Sequence, residues 1–184
     1  MKRFVLSGPA CSGKSATIKF ISEIGFQVTR EAAREVILHQ KNETGSCPSI
    51  GGNAKDKIAF QIEVYKQQLK IENEIRESDY CFYDRGIYDG LAFLKMDNIA
   101  PPEWLVNNIK NFKYDKVFLF EILPVFSRDR ARKERDKDTA NKAYPFLKEI
   151  YESFGCPVVE VPNFSNNEKE NIRLRWEFIK AHLD

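Results

Sequence analysis

The feature that most constrains this chain is an eight-residue run near its start, Gly8-Pro9-Ala10-Cys11-Ser12-Gly13-Lys14-Ser15, which matches the pattern GxxxxGK[ST] in full. The apolar, β-prone residues 3–7 precede it, and Ile18, Ile21 and Ile24 follow at helical spacing before Gly25. That is the strand, loop, helix context the pattern requires. Gly8 and Gly13 allow backbone conformations and close approaches that a Cβ would block, so the amides from Gly8 to Ala16 can gather around an anion beside a helix N-terminus. In such a loop Lys14 bridges the β- and γ-phosphates of a bound ATP or GTP, and the Ser15 hydroxyl ligates Mg. The bland alternative is a chance glycine turn with a solvated lysine. Motif, position and flanking elements all speak against it. Cys11 reads as a small loop residue rather than a reactive thiol.

Beyond the loop, strands and helices alternate. Residues 26–29 read as a second short strand, leading into a helix that carries Ala32, Ala33, Val36 and Ile37. Residues 41–54, rich in Gly, Ser and Asn, are expected to form a mobile loop. Ile58, Ile62, Val64, Tyr65, Leu69 and Ile71 then recur among charges over residues 55–77, the pattern of a long amphipathic helix. A third strand at residues 80–83 is closed by Asp84-Arg85-Gly86, a helix with Leu91, Phe93 and Leu94 follows, and Pro101-Pro102 starts another that runs to about Phe112. Residues 116–120 have the continuous apolarity of a strand covered on both faces. A helix over residues 139–154, a strand at 158–161 and a helix from about 167 complete the chain. The pattern predicts an α/β fold of the P-loop NTPase kind: a five-stranded parallel sheet with helices on both faces, in one domain over residues 1–184.

Composition narrows the function classes. With 184 residues the chain is of single-domain size, and 29 Lys and Arg against 27 Asp and Glu leave a net charge of +2, too little for a broad nucleic-acid footprint. Cys11, Cys47, Cys81 and Cys156 are far apart and form no CxxC pair, which suits reduced thiols in a cytoplasmic protein. No apolar run reaches the roughly 18 residues of a membrane span. The expected ligands are therefore a nucleoside triphosphate with Mg and a small polar acceptor.

In an open parallel sheet a ligand sits beyond the carboxyl ends of the strands, so charged residues just after each strand are the candidates. Asp84 is placed to hold or orient Mg, with helix N-cap as its structural alternative. Glu31 is a candidate general base toward an acceptor hydroxyl, or else a first-turn glutamate favoured by the helix dipole. Arg34 and Arg85 are candidate acceptor contacts, although Arg34 is also spaced to pair with Glu31. Asp89 reads either as an acceptor contact or as an exposed helix residue. In the polar stretch 127–138, Arg128 and Arg132 are candidates to close over the transferred phosphoryl group as part of a lid, while a solvated charged face is the plainer reading of the same run.

These pieces resemble the NadR-like AAA domain family of small P-loop proteins, related to nicotinamide riboside kinase domains and to nucleoside and nucleotide kinases. The resemblance rests on residues 4–15, on Glu31-Ala32-Ala33-Arg34-Glu35-Val36-Ile37, on Phe82-Tyr83-Asp84-Arg85-Gly86 with Asp89, on residues 129–134 and on residues 151–162. It implies a kinase-type fold with the first and third strands adjacent, and hence Lys14 close to Asp84.

The expected activity is ATP-dependent phosphoryl transfer to a nucleoside- or nucleotide-like small molecule. The alternative from another class is a regulatory switch that hydrolyses ATP or GTP and acts on a protein partner, although no NKxD-type guanine motif stands at a strand end. A kinase of RNA ends is weaker still, since Lys95, Lys110, Lys113 and Lys116 are too scattered to make a basic groove.

Overall fold

The computed structural model describes residues 1–44, 52–75, 78–123 and 137–184. Phe4, Val5 and Leu6 are buried because β1 (Lys2–Ser7) lies mid-sheet, bonded on one side to β3 (Tyr80–Asp84) and on the other to β4 (Lys116–Phe120). β2 (Gln27–Val28) flanks β3 and β5 (Val158–Val161) flanks β4, giving the order β2-β3-β1-β4-β5 with every pairing parallel. The sheet is thus the five-stranded parallel one expected, with the first and third strands adjacent. Its register sets Leu6 opposite Asp84 and Ser7 opposite Leu119, so the ends of β1, β3 and β4 open on one edge.

Side chains alternate across the pleat. Phe4, Leu6, Phe82, Phe118 and Phe120 point to one face, where Ile18 and Ile21 of α1 (Lys14–Glu23) and Trp176 and Ile179 of α7 (Glu168–Lys180) cover them. Val5, Cys81, Tyr83 and Val117 point to the other. That face is covered by α4 (Asp89–Met96), α5 (Glu103–Ile109) and α6 (Lys137–Ser153), with Tyr65 and Leu69 of α3 (Ala54–Asn73) packed alongside. The first face is mainly hydrocarbon, with the buried Arg175 of α7 over the Phe120 ring. The second holds Tyr83, Tyr88, Tyr114 and Tyr151, whose rings fill the core while their hydroxyls remain available for hydrogen bonds.

Several sequence-based boundaries move. The expected loop at 41–54 is narrower, because α2 (Ala32–Thr44) continues through residues 41–44, where no Gly or Pro stops it, and α3 opens at Ala54. Asn53 caps α3 in a reciprocal capping box with Asp56. Residues 45–51, inside that expected loop, lie outside the described residues, as does Cys47. The third helix ends at Asn73 rather than 77, the helix after Pro101-Pro102 is confined to Glu103–Ile109, and the second strand shrinks to two residues at the sheet edge. Of the expected lid, residues 127–136 lie outside the described residues, and Lys137 and Asp138 belong to α6. No described helix is long and apolar enough to cross a membrane.

Candidate functional site

The loop between β1 and α1 takes its shape from residues that only this edge of the sheet could fix. Gly8 has φ +142°, and a Cβ there would stand 2.6 Å from the Phe120 carbonyl oxygen, so β1 can pass this close to β4 only as glycine. Gly13 is left-handed at φ +82° and occupies the N-cap of α1. Cys11 also has positive φ, 58°, and its carbonyl accepts the Leu123 N–H, tying the loop to the segment after β4. Lys14 is buried, and its ammonium donates to Gly8 O at 2.8 Å, Pro9 O at 2.7 Å and Ser12 Oγ at 3.0 Å. The charge is held at the centre of the loop, on the same strand edge as Asp84. Ser15 is exposed on the first turn of α1, and Ala10 and Ala16 are half-buried.

Asp84 ends β3 as a buried residue, and its backbone N–H donates to Thr29 Oγ1 at 3.2 Å. The helix-cap alternative fails, because α4 begins only at Asp89 with Tyr88 at its N-cap. Next to Asp84, Arg85 adopts a left-handed backbone, φ +71°, which is costly for a residue with a side chain. Its fixed partners hold it there. The Arg85 N–H donates to Leu6 O, Nε donates to Glu31 Oε1 at 3.0 Å, and Nη1 donates to both Asp89 Oδ2 at 2.7 Å and Gly8 O at 3.1 Å. Burial works against this guanidinium's charge, but Asp89 and Glu31 on either side outweigh it, and its pKa is raised above the ordinary arginine value. Arg85 therefore joins the phosphate-type loop to Glu31, at the start of α2, through one rigid planar group.

Asp89 is 4% exposed, which removes the exposed-helix reading. Besides Arg85 it accepts the Ser7 hydroxyl at 2.9 and 3.0 Å on its two oxygens and the Tyr151 hydroxyl at 2.5 Å. Burial, followed by the Asp89 charge, pushes the Tyr151 hydroxyl well above the ordinary tyrosine range. The carboxylate is thus occupied with holding Arg85. Ser7 and Tyr151 were not legible as site residues, because they come from elements 82 and 62 residues away from Asp89.

Glu31 is buried, with Arg85 on Oε1 and Arg34 more loosely at 3.8 Å from Oε2. Arg30 instead pairs with Glu35 at 3.0 Å and Glu74 at 3.5 Å, out toward solvent. Beside this group lies a small pocket of about 60 Å³ between α2, α3 and α4. Ala32, Phe60, Val64 and Phe93 give it apolar walls, and Gln61 with Arg85 gives it polar ones. Its lining, apolar walls with a few polar groups, is of the kind that small-molecule sites have. Arg85 is common to this pocket and to the loop. Neither Gln61 nor Phe93 was read in the sequence as a pocket residue; the signal was their position on helices that pack toward the sheet. Arg128 and Arg132 lie outside the described residues.

The chain is similar to known proteins in family and in fold. A family model described as an AAA domain matches residues 3–169. No curated protein matches the sequence at a significant level. Among solved structures, deoxyadenosine kinase from M. mycoides with bound dATP superposes over 98% of this chain and 100% of that one, with TM-score 0.71 and 15% identity. The same kinase with products dCMP and a flexible dCDP gives TM-score 0.65 at 16% identity, covering 100% of this chain and 98% of that one. Thymidylate kinase from Ehrlichia chaffeensis gives 0.64 at 15% identity, covering 98% and 97%. At such identities the likeness is one of fold, that of nucleoside and nucleotide kinases.

Proposed function

The chain belongs to this AAA domain family, and from that membership and the site geometry we propose that it is a Mg-dependent phosphotransferase moving the γ-phosphoryl group of ATP, or GTP, to a nucleoside- or nucleotide-like acceptor. The observation that carries this reading is the span of Arg85, whose guanidinium touches Gly8 O of the phosphate-type loop, Glu31 and the wall of the adjoining pocket. A triphosphate tail on the loop and a polar molecule in the pocket would meet at Glu31. The kinases that share the fold act on nucleosides or nucleotides, which favours that acceptor class.

Magnesium fits the donors present. Ser15 and Asp84 are hard oxygen donors, and no group of three or more His, Cys, Asp or Glu forms a metal cage among the described residues. Mg needs none, since it keeps several waters and is shared between one or two protein oxygens and the phosphates. Ser15 would ligate it and Asp84 would orient its shell, and the ion would neutralise charge on the phosphates.

The protein's own residues supply the rest. Lys14 carries three ammonium donors that the loop already orients, and they would bridge the β- and γ-phosphates. Glu31 would accept the acceptor's hydroxyl proton as the oxygen attacks, a role commonly worth about 10²- to 10⁴-fold. Arg85 fixes the Glu31 carboxylate through Nε, so the base is positioned before the acceptor arrives. Arg34, exposed and 3.8 Å from Glu31, would meet an anionic part of the acceptor.

The test is transfer of label from γ-labelled ATP to pools of nucleosides, nucleotides and polar vitamins, comparing wild type with Glu31→Gln. Label should move into an acceptor, and the variant should lose roughly 10²-fold or more of that rate while keeping nucleotide affinity. Transfer at an undiminished rate by Glu31→Gln would remove the base assignment. Phosphate release that requires a protein partner and labels no acceptor would replace the kinase reading with that of a switch.

A further inference from the structure

Arg175, on α7 near the far end of the chain, is 1% exposed and is the largest fully buried side chain among the described residues. Among the described residues its guanidinium forms no ion pair within 4.0 Å. It lies 5.0 Å from the centre of the Phe120 ring and donates to three backbone carbonyls from three different segments. Nε donates to Pro162 O at 3.0 Å, just past β5; Nη2 donates to Glu121 O at 3.4 Å, just past β4; and Nη1 donates to Ser12 O at 2.5 Å, inside the loop after β1. A Cβ on Gly13 would stand 2.8 Å from Nη1. Burial lowers this guanidinium's pKa to about 10 against the pull of Glu121.

The Ser12 contact bears directly on the loop. No peptide bond in the described residues is cis, so the Ser12–Gly13 peptide is planar and trans, and its carbonyl and N–H point in opposite directions. With the carbonyl drawn back onto Arg175, the Gly13 N–H must face away from α7. Gly13 itself has the left-handed conformation that leaves this peptide the freedom to turn over. A charge-assisted hydrogen bond is about twice as strong as a neutral one, and it also polarises the peptide, enhancing the N–H as a donor.

We infer that Arg175 is a positioning residue for phosphate binding, clamping the Ser12–Gly13 peptide from behind so that the Gly13 amide is presented to the triphosphate. The inference rests on the reading of residues 8–15 as a triphosphate cradle. It also accounts for the location of a buried arginine that forms no close ion pair among the described residues, since a mere fold staple needs neither a charge nor a loop carbonyl as partner. The signal was present in the sequence only as phase: Asn171, Arg175 and Ile179 share one stripe of α7, and all three are buried.

The test uses two probes, Mg·ATP and inorganic tripolyphosphate with Mg, the second lacking any base or sugar. Binding is measured by calorimetry on the wild type, Arg175→Lys and Arg175→Met, well below each protein's unfolding midpoint. The expected result is a loss of roughly ten- to a hundredfold for both probes in Arg175→Met and a smaller loss in Arg175→Lys, with acceptor KM unchanged. A folded Arg175→Met that binds both probes within twofold of wild type overturns the inference. A lowered unfolding midpoint accompanied by normal affinity does the same, since that is what a structural staple would give. If Arg175→Met does not fold, the wild type still decides: the Arg175 Nε–H resonance should shift on adding Mg·tripolyphosphate, and an unmoved resonance counts against the clamp. A wild type that binds neither probe refutes the triphosphate reading itself, an outcome distinct from binding that survives loss of Arg175.

Discussion

Asp89→Asn removes one negative charge and turns one acceptor oxygen into a donor, at a site where the carboxylate accepts from Ser7, Tyr151 and Arg85. The hydroxyls of Ser7 and Tyr151 can reverse and accept from the new amide, so their bonds are weakened rather than lost. Arg85 cannot reverse, because a guanidinium only donates. If the amide oxygen turns toward Nη1 that contact survives as a neutral acceptor, and the pair loses its Coulombic part. Removing one partner of a buried ion pair costs about 3 to 5 kcal/mol. Glu31 still faces Arg85 through Nε at 3.0 Å, which places the expected cost near the lower bound, about 3 kcal/mol. For a chain of this length that corresponds to a fall of roughly 6 to 12 °C in unfolding midpoint. Tyr151→Phe removes one bond to a charged acceptor and should cost about 1.5 to 3 kcal/mol. In the double variant the two effects should add to less than their sum by about 1 kcal/mol, because both act on the same carboxylate. Circular dichroism melts of the four proteins supply the cycle. An Asp89→Asn midpoint within about 2 °C of wild type would refute the claim that Asp89 holds Arg85, since surface-like changes alone stay within about 0.5 kcal/mol.

Two further outcomes follow from the same geometry. Burial raises the Tyr114 and Tyr151 hydroxyls above the ordinary value of 10, so the folded state keeps protons that the unfolded state releases. The stability due to each is full below pH 10 and declines above it by about 1.4 kcal/mol per pH unit for each tyrosine. Urea titrations from pH 9 to 11.5, followed by tyrosinate absorbance, should show these tyrosines ionising only as the protein unfolds; ionisation near pH 10 in folded protein contradicts their burial. At Gly90, in α4, an added Cβ would stand 2.7 Å from Gln61 Oε1, the movable end of a side chain that lines the pocket. Gly90→Ala should therefore leave the unfolding free energy unchanged or raise it by up to about 1 kcal/mol through helix propensity, while acceptor KM rises several-fold. An unchanged KM would mean the acceptor does not occupy this pocket.

How much was legible in the sequence depended on the range over which the information lay. The glycine loop, the five strands and most helices are local patterns: Val117-Phe118-Leu119-Phe120 is apolar throughout because the strand is covered on both faces, and the chain shows this directly. Strand order is not local. The adjacency of β1 and β3 came from family resemblance, and the places of β2 and β5 only from the structure. Asp84 and Glu31 stood out as candidates because each lies at or just after the end of a strand. Asp89 was harder to judge, since a charged residue at a helix start ordinarily faces water, and its burial depends on Ser7 and Tyr151 arriving from distant segments. Arg175 was hidden among Arg173, Glu177 and Lys180, and only helical phase separates it from them. The lower end of the expected loop was misjudged because its polar residues 41–44 are also competent helix formers, and composition alone does not separate the two.

Everything proposed for this site requires that the loop at the mouth of the sheet hold a nucleoside triphosphate with Mg through Lys14. Calorimetric titration of ATP into wild type and Lys14→Ala, with and without Mg, tests it most directly. The account predicts Mg-dependent binding by the wild type and its loss, by roughly a hundredfold or more, when the ammonium is removed, since a charge-assisted contact to phosphate is worth about 1.5 to 3 kcal/mol and Lys14 would contact two phosphates. Equal affinity of the two proteins, or no affinity of the wild type for any nucleoside triphosphate, would contradict it.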